Sequence, residues 1–203
     1  MELLLDGERL AVAAGRNTLA EALKTAMDAA RTRGRIITEA TADGRPIDDS
    51  MLESGATAAL IEIKSAIPGE LARDTLLQTA DTLEAIRVQQ QACGEAFAKG
   101  DESTGVDHLR VALMGWQTVR DVIEQTRTLV GDRWSGVVVS GVHGEATLEH
   151  AVGQLAIALR AIKSTSEAQD WSGLSDIVMY DMDVLAEVFV SLLGALAQRS
   201  AQA

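Results

Sequence analysis

Every aromatic side chain of this 203-residue chain, Phe97, Trp116, Trp134, Trp171, Tyr180 and Phe189, lies beyond residue 96. Aromatic rings bury about 150–250 Å² each and dominate the cores that hold them, so a segment without rings must build its interior from aliphatic side chains. The first third and the remainder therefore pose different packing problems. A boundary is readable at Ile67-Pro68-Gly69, because proline disfavours helix in the residue before it and glycine adds freedom. The expected division is a small αβ domain over 1–66 and a helical domain over 67–203, an α+β chain.

Within the first part, residues 3–5 and 8–12 read as two strands joined at Asp6-Gly7, a pair suited to the positive φ angles of a tight hairpin. Thr18 stands three residues before Glu21, the spacing of a capping box, and Leu19, Leu23 and Met27 follow at helical intervals towards Gly34. Ile36 and Ile37 open another strand, Asp43-Gly44 a second turn and Asp48–Ser54 one helical turn. Ala58–Lys64 gives a last strand with Ile61 and Ile63 on one face. This ββαββ order, with a helix crossing a mixed sheet, resembles the β-grasp or ubiquitin-like arrangement. A single core of this size contributes only about 3–5 kcal/mol, and it has no ring to help, so the domain is expected to be marginal when isolated.

The second part shows four apolar helical patterns. Leu76, Thr79, Leu83, Ile86, Gln90, Cys93 and Phe97 alternate by three and four, and Gly100 ends the run. Leu109, Leu113, Trp116, Ile123 and Val130 mark a second helix, with Thr104 and Asp107 as candidate caps and Gly131 as its end. Leu148, Val152, Leu155, Leu159 and Ile162 mark a third, and Leu174, Val178, Leu185, Phe189, Leu192 and Leu196 a fourth. The pattern predicts an antiparallel four-helix bundle. In the fourth helix Val184, Val188, Val190 and Leu193 flank the seam, leaving only Glu187, Ser191, Gly194 and Gln198 as a polar face. A helix apolar around most of its circumference is either central or part of an interface; a homodimer contact through Val184, Val188, Val190 and Leu193 is the expectation.

Charge narrows the partners. The formal net charge is −12; residues 1–66 hold eleven acidic and eight basic side chains, the remainder nineteen and ten. Such a surface is not expected to bind nucleic acid, whose affinity comes from Lys and Arg, nor an anionic membrane. A basic partner is permitted, although solubility alone accounts for the excess. The most apolar window, Val184–Ala197, is too short to span a bilayer, and Glu187 interrupts it. The single cysteine and an N-terminus lacking the form of a secretory signal point to the cytoplasm.

Chemical motifs are sparse. Gly131–Gly144 is glycine-rich but matches no phosphate-loop spacing, and reads as a flexible or strand-like connection. His143, Glu145 and His150 are ligand types without a zinc spacing. Asp181 and Asp183, two apart on a helix, point to different faces. Cys93, on an apolar seam, reads as a small hydrophobe. No catalytic residue, cofactor or metal is expected. Asp176, Tyr180 and Asp183, at i, i+4 and i+7, share a stripe beside the seam and, with Trp171, form the candidate binding patch.

The stretch Asp170-Trp171-Ser172-Gly173-Leu174-Ser175-Asp176-Ile177-Val178-Met179-Tyr180-Asp181-Met182 has the form D-W/Y-x-x-L-A/S-D-x-x-x-Y-D/E. It resembles a motif in bacterial proteins of unknown function that join a small N-terminal αβ domain to a C-terminal helical region. The resemblance implies the two-part layout and no activity. The expected function is that of a non-enzymatic interaction or adaptor protein with a protein partner. The alternatives are an enzyme or small-molecule sensor with a pocket at the domain junction, lined by Trp134, His143, Trp171 and Tyr180, and a chaperone-like bundle for a protein client.

Overall fold

The computed structural model describes residues 1–12, 18–141 and 144–202, which fall into two compact units, Met1–Leu71 and Ala72–Ala203. The chain is mixed α+β. The first unit contains β1 (Glu2–Leu5), β2 (Glu8–Leu10), α1 (Leu19–Thr32), β3 (Ile36–Ala42), β4 (Arg45–Pro46), α2 (Asp49–Glu53) and β5 (Leu60–Ala66). Its sheet runs β2-β1-β5-β3-β4. The neighbours β1 and β5 are parallel, with Leu3 opposite Ile61 and Leu5 opposite Ile63, and the remaining pairs are antiparallel.

Local chemistry sets these elements. Asp6 and Gly7 take φ of 52° and 83°, and Asp43 and Gly44 take 48° and 79°, the left-handed conformations that a two-residue hairpin turn requires. Thr18 and Glu21 form the reciprocal capping box at the start of α1. The buried stripe of α1 is Leu19, Ala22, Ala26 and Ala30, whereas Met27 is 56% exposed. The expected Leu19–Leu23–Met27 line is thus rotated: alanines let the helix sit close to the sheet, where Leu3, Leu5, Ile61 and Ile63 fill the space.

Asp6 also ties β1 to β5. Its carboxylate accepts from the Ser65 amide at 2.7 Å and from the Ser65 hydroxyl at 2.6 Å. These bonds, led by that from the hydroxyl, with Arg35 and Arg33 nearby, hold its pKa below the ordinary 3.8. A depressed pKa contributes stability that is complete above pH 3.8 and is lost as pH falls through the folded value. Amide exchange at Ser65 is therefore expected to accelerate as pH drops below about 4, after correction for intrinsic rates, and Asp6→Asn should flatten that response. An unchanged acid response in the variant would remove Asp6 as its source.

The second unit is built from α3 (Pro68–Ala98), whose body belongs to it, then α4 (Glu102–Val130), a 3₁₀ turn at Gly131–Trp134, β6 (Val138–Gly141), β7 (Gly144–Thr147), α5 (Leu148–Glu167), α6 (Trp171–Asp176), a π-helical turn (Ile177–Asp181) and α7 (Met182–Ala201). Strands β6 and β7 form an antiparallel hairpin; β6 falls within the Gly131–Gly144 stretch expected as a flexible or strand-like connection, and β7 begins at its last residue and runs beyond it to Thr147. Asp101, not Thr104 or Asp107, caps α4, accepting from the Thr104 amide at 3.2 Å; the helix begins earlier, and Asp107 pairs with Arg110 instead.

One hydrophobic cluster unites the long helices. The α3 seam is buried throughout, including Thr79 and Gln90. Leu109, Trp116 and Ile123 of α4, Leu155 and Ile162 of α5, and Leu174, Val178, Phe189, Leu192 and Leu196 of the C-terminal helix complete it. Val152, expected on the seam, is 40% exposed. Where α3 meets the π turn, a Cβ on Gly94 would lie 2.0 Å from Met179 Cγ, whereas one on Gly153 would meet nothing within 4 Å. Gly94→Ala should therefore lower stability by about 1–3 kcal/mol despite its better helix propensity. Gly153→Ala should raise it by up to about 1 kcal/mol, both read from urea midpoints.

Candidate functional site

The C-terminal helical segment, Trp171–Ala201, carries every residue expected in the binding patch and the interface, so its environment decides what they do. Its π turn bonds the Met182 amide to the Ile177 carbonyl, an i→i+5 step that inserts one residue into the helical register. Helix α3 supplies the polar partners on one side of it. Ser175 Oγ donates to the Gly94 carbonyl at 2.9 Å. Gln90 Nε2 donates to the Val178 carbonyl at 3.5 Å, and its Oε1 accepts from Trp116 Nε1 at 3.1 Å. Gln90 is 1% exposed, so these bonds replace the water it has lost.

Further along, Arg87 of α3 makes a two-point contact with Asp183, Nε to Oδ1 at 2.8 Å and Nη2 to Oδ2 at 3.0 Å, and reaches Glu187 at 3.1 Å. Hydrogen bonding to Asp183 is the main cause that raises the Arg87 pKa, so the cation is permanent. The candidate stripe is thereby divided. Asp183 is held by Arg87, Asp176 and Tyr180 are exposed, and Trp171 is half-buried, stacked on Phe97 at 5.3 Å and 12°.

The other side of the segment faces α5 and the hairpin across a furrow of about 520 Å³. Ala151, Gln154, Ile157, Ala158 and Ala161 form one wall, and Tyr180, Asp181, Val184, Leu185 and Val188 the other, with Glu145, Ala146 and His150 at one end. Tyr180 is 63% and Ile157 52% exposed. Of the four expected interface residues, Val184 and Val188 line this furrow, Val190 packs partly buried on the core, and Leu193 is fully buried within it. Leu193 has no surface left to offer a partner.

The residues expected around a junction pocket are dispersed. Trp134 donates its indole N–H to Ser200 Oγ at 2.9 Å, whereas Trp171 begins the same long helix, about 40 Å away at 1.5 Å per residue. His143 lies outside the described residues. Cys93 is fully buried, and desolvation pushes its pKa up to about 12, so it remains a thiol. Among the described residues no group of three or more His, Cys, Asp or Glu is arranged to hold a metal ion, and no helix is long and apolar enough to cross a membrane.

A second cavity, of about 300 Å³, lies between α4 and α5, with Arg120, Glu124, Arg127 and Glu149 alternating over Ile123, Val152 and Leu159. Sequence reasoning passed over both cavities. Ile157 was the available signal for the larger one, as an isoleucine off the Leu148–Leu155–Ile162 stripe. Compared with protein-family models, curated proteins and solved structures, the chain matches none.

The Gln90 contacts generate a test of how the π turn is supported. Gln90→Leu leaves the Trp116 indole N–H buried without its acceptor and is expected to cost about 2–3 kcal/mol. Adding Trp116→Phe removes the orphaned donor, so the double variant should be less destabilised than the sum by about 1 kcal/mol in denaturant unfolding. Strict additivity would show that the bond is not formed in solution.

Proposed function

We propose that this protein is a non-enzymatic interaction module that docks a protein partner in the furrow between α5 and α7. The observation that carries this reading is the furrow's combination of an open apolar lining with two large exposed side chains, Ile157 and Tyr180. Apolar surface left together in one groove is the usual mark of a recognition site, and a furrow flanked by two helices is a ready seat for a third.

Of the two units, the first is read as a β-grasp domain, supported by its parallel β1–β5 pair at the centre of a five-stranded mixed sheet. The second is read as an antiparallel four-helix bundle, supported by the short connections at 99–101 and 168–170, which suit neighbouring helices running in opposite directions. The motif at Asp170–Met182 joins the chain to the two-part bacterial proteins described above, and the lone buried cysteine suits a cytoplasmic home. The furrow's volume also falls within the roughly 300–1,000 Å³ of small-molecule sites, which keeps a sensor as the second reading.

Capture from native lysate separates these readings when the tagged chain is run beside Ile157→Ser and Tyr180→Ala, with Val106→Ser as an exposed control elsewhere. A stoichiometric protein held by wild type and control, and lost from both furrow variants, is the expected result. Equal recovery with all four chains would place the contact elsewhere. A small molecule co-purifying with the wild type and displaced by the furrow variants would favour the sensor.

A further inference from the structure

We propose that the occupant of this furrow is a basic amphipathic helix of a partner protein, its apolar stripe on Ile157, Tyr180 and Val188 and its Lys or Arg side chains against Glu145 and Asp181. The inference rests on the reading of the furrow as a docking site and adds the chemistry of what docks there.

Length comes first. The lining positions run from His150 to Ala161 along α5 and from Tyr180 to Val188 along the opposite wall, spans of about 16 and 12 Å at 1.5 Å per residue. Both walls are helical, so the furrow is a straight trough two to three helical turns long, the form that takes a helix presenting residues at i, i+3, i+4 and i+7. Ala151, Ala158 and Ala161 set its α5 wall back, which lets the ridges of an incoming helix approach closely.

Charge then selects the helix. Glu145 and Asp181 are exposed and lie at the lining of the furrow. Neither makes an ion pair or side-chain hydrogen bond among the described residues, and the described lining holds His150 but no Lys or Arg to balance them. The smaller cavity is different: Arg120 and Arg127 alternate there with Glu124 and Glu149, and its rim is neutral by itself. The carboxylates of the larger furrow therefore await cations from outside. A second copy of the chain docking by the same face across a two-fold axis would oppose these carboxylates to each other, which disfavours self-association here.

The test uses two fluorescent helical peptides of about 18 residues, with leucine at i, i+3, i+4 and i+7 and either lysine or glutamate on the flanks, titrated into the full chain by anisotropy. The lysine peptide is expected to bind at least about tenfold more tightly than the glutamate peptide, with the difference shrinking in salt. Glu145→Lys with Asp181→Lys should reverse the preference. Ile157→Ser, at an exposed position, should weaken the lysine peptide about tenfold without moving the melting temperature, and Ala161→Phe, which fills the trough, should do the same.

Equal binding of the two peptides overturns the basic-helix inference and leaves the docking site standing. Lysine-peptide binding indifferent to both Ile157→Ser and Ala161→Phe overturns inference and docking site together. Failure of both peptides to bind, with self-association that Ile157→Ser abolishes, identifies a second copy as the occupant and overturns the inference alone.

Discussion

The second unit depends on burying one C-terminal helix that is apolar around nearly its whole circumference. Leu174, Val178, Met182, Phe189, Leu192, Leu193 and Leu196 all lie at or below 1% exposure, and full burial of each large apolar side chain contributes about 1.5–3 kcal/mol. Such a helix has to satisfy α3 on one side and α5 and the hairpin on the other. A residue inserted by the π turn rotates everything after it by about 100° relative to an unbroken helix. Ser175 before the shift and Met179 within it meet Gly94, Asp183 after it meets Arg87, and Val184 and Val188 turn towards α5.

That arrangement places polar groups in a setting where they must be matched. Gln90, Trp116 and the Val178 carbonyl are mutually bonded at the level of the turn, and among the described residues no buried side-chain nitrogen or oxygen lacks a partner. In a low-dielectric interior an unmade bond costs more than a made one contributes. The network therefore acts chiefly by excluding alternatives: sliding α3 by one residue would move Gln90, which serves both the indole and the carbonyl. Gly94 excludes the same slip sterically, since either neighbour on α3, Cys93 or Glu95, would bring a Cβ against Met179.

What the sequence made legible was whatever is decided within a few residues. Asp6-Gly7 and Asp43-Gly44 specify their turns through φ, Thr18 and Glu21 their helix start through two reciprocal bonds, and the α3 seam its face through spacing alone. The stripe of α1 is less legible, because close packing on a sheet selects alanine over the larger leucine and methionine that dominate an apolar pattern. The π turn had no local signature: Ile177-Val178-Met179-Tyr180-Asp181 is a sequence that an ordinary helix accepts, and the extra residue follows from contacts with α3 that are some 80 to 90 positions away in the chain. An i, i+4, i+7 stripe through Asp176, Tyr180 and Asp183 presumes uninterrupted register, and so the patch it described comes apart into a paired Asp183 and an open Tyr180.

The furrow follows from the same competition. Helix α5 commits Leu148, Leu155 and Ile162 to the core, and the residues turned towards α7 are then mostly alanine, with Ile157 standing out from the wall. Alanines on one wall and valines on the other could have closed the gap by drawing the helices together, as Gly94 permits between α3 and the π turn. Here Ala146 of the hairpin is buried at one end, and about 520 Å³ stays open between the walls. Apolar side chains on those walls, Ile157 among them, stay in contact with water, which is an energetic loss to the isolated chain. Solubility does not require that loss, since the remainder of the chain already carries nineteen acidic against ten basic side chains. Covering Ile157 and Tyr180 with an apolar surface would recover it, which is the physical ground for reading the furrow as a docking site. The carboxylates of Glu145 and Asp181, without a partner among the described residues, would favour a cationic flank on whatever docks.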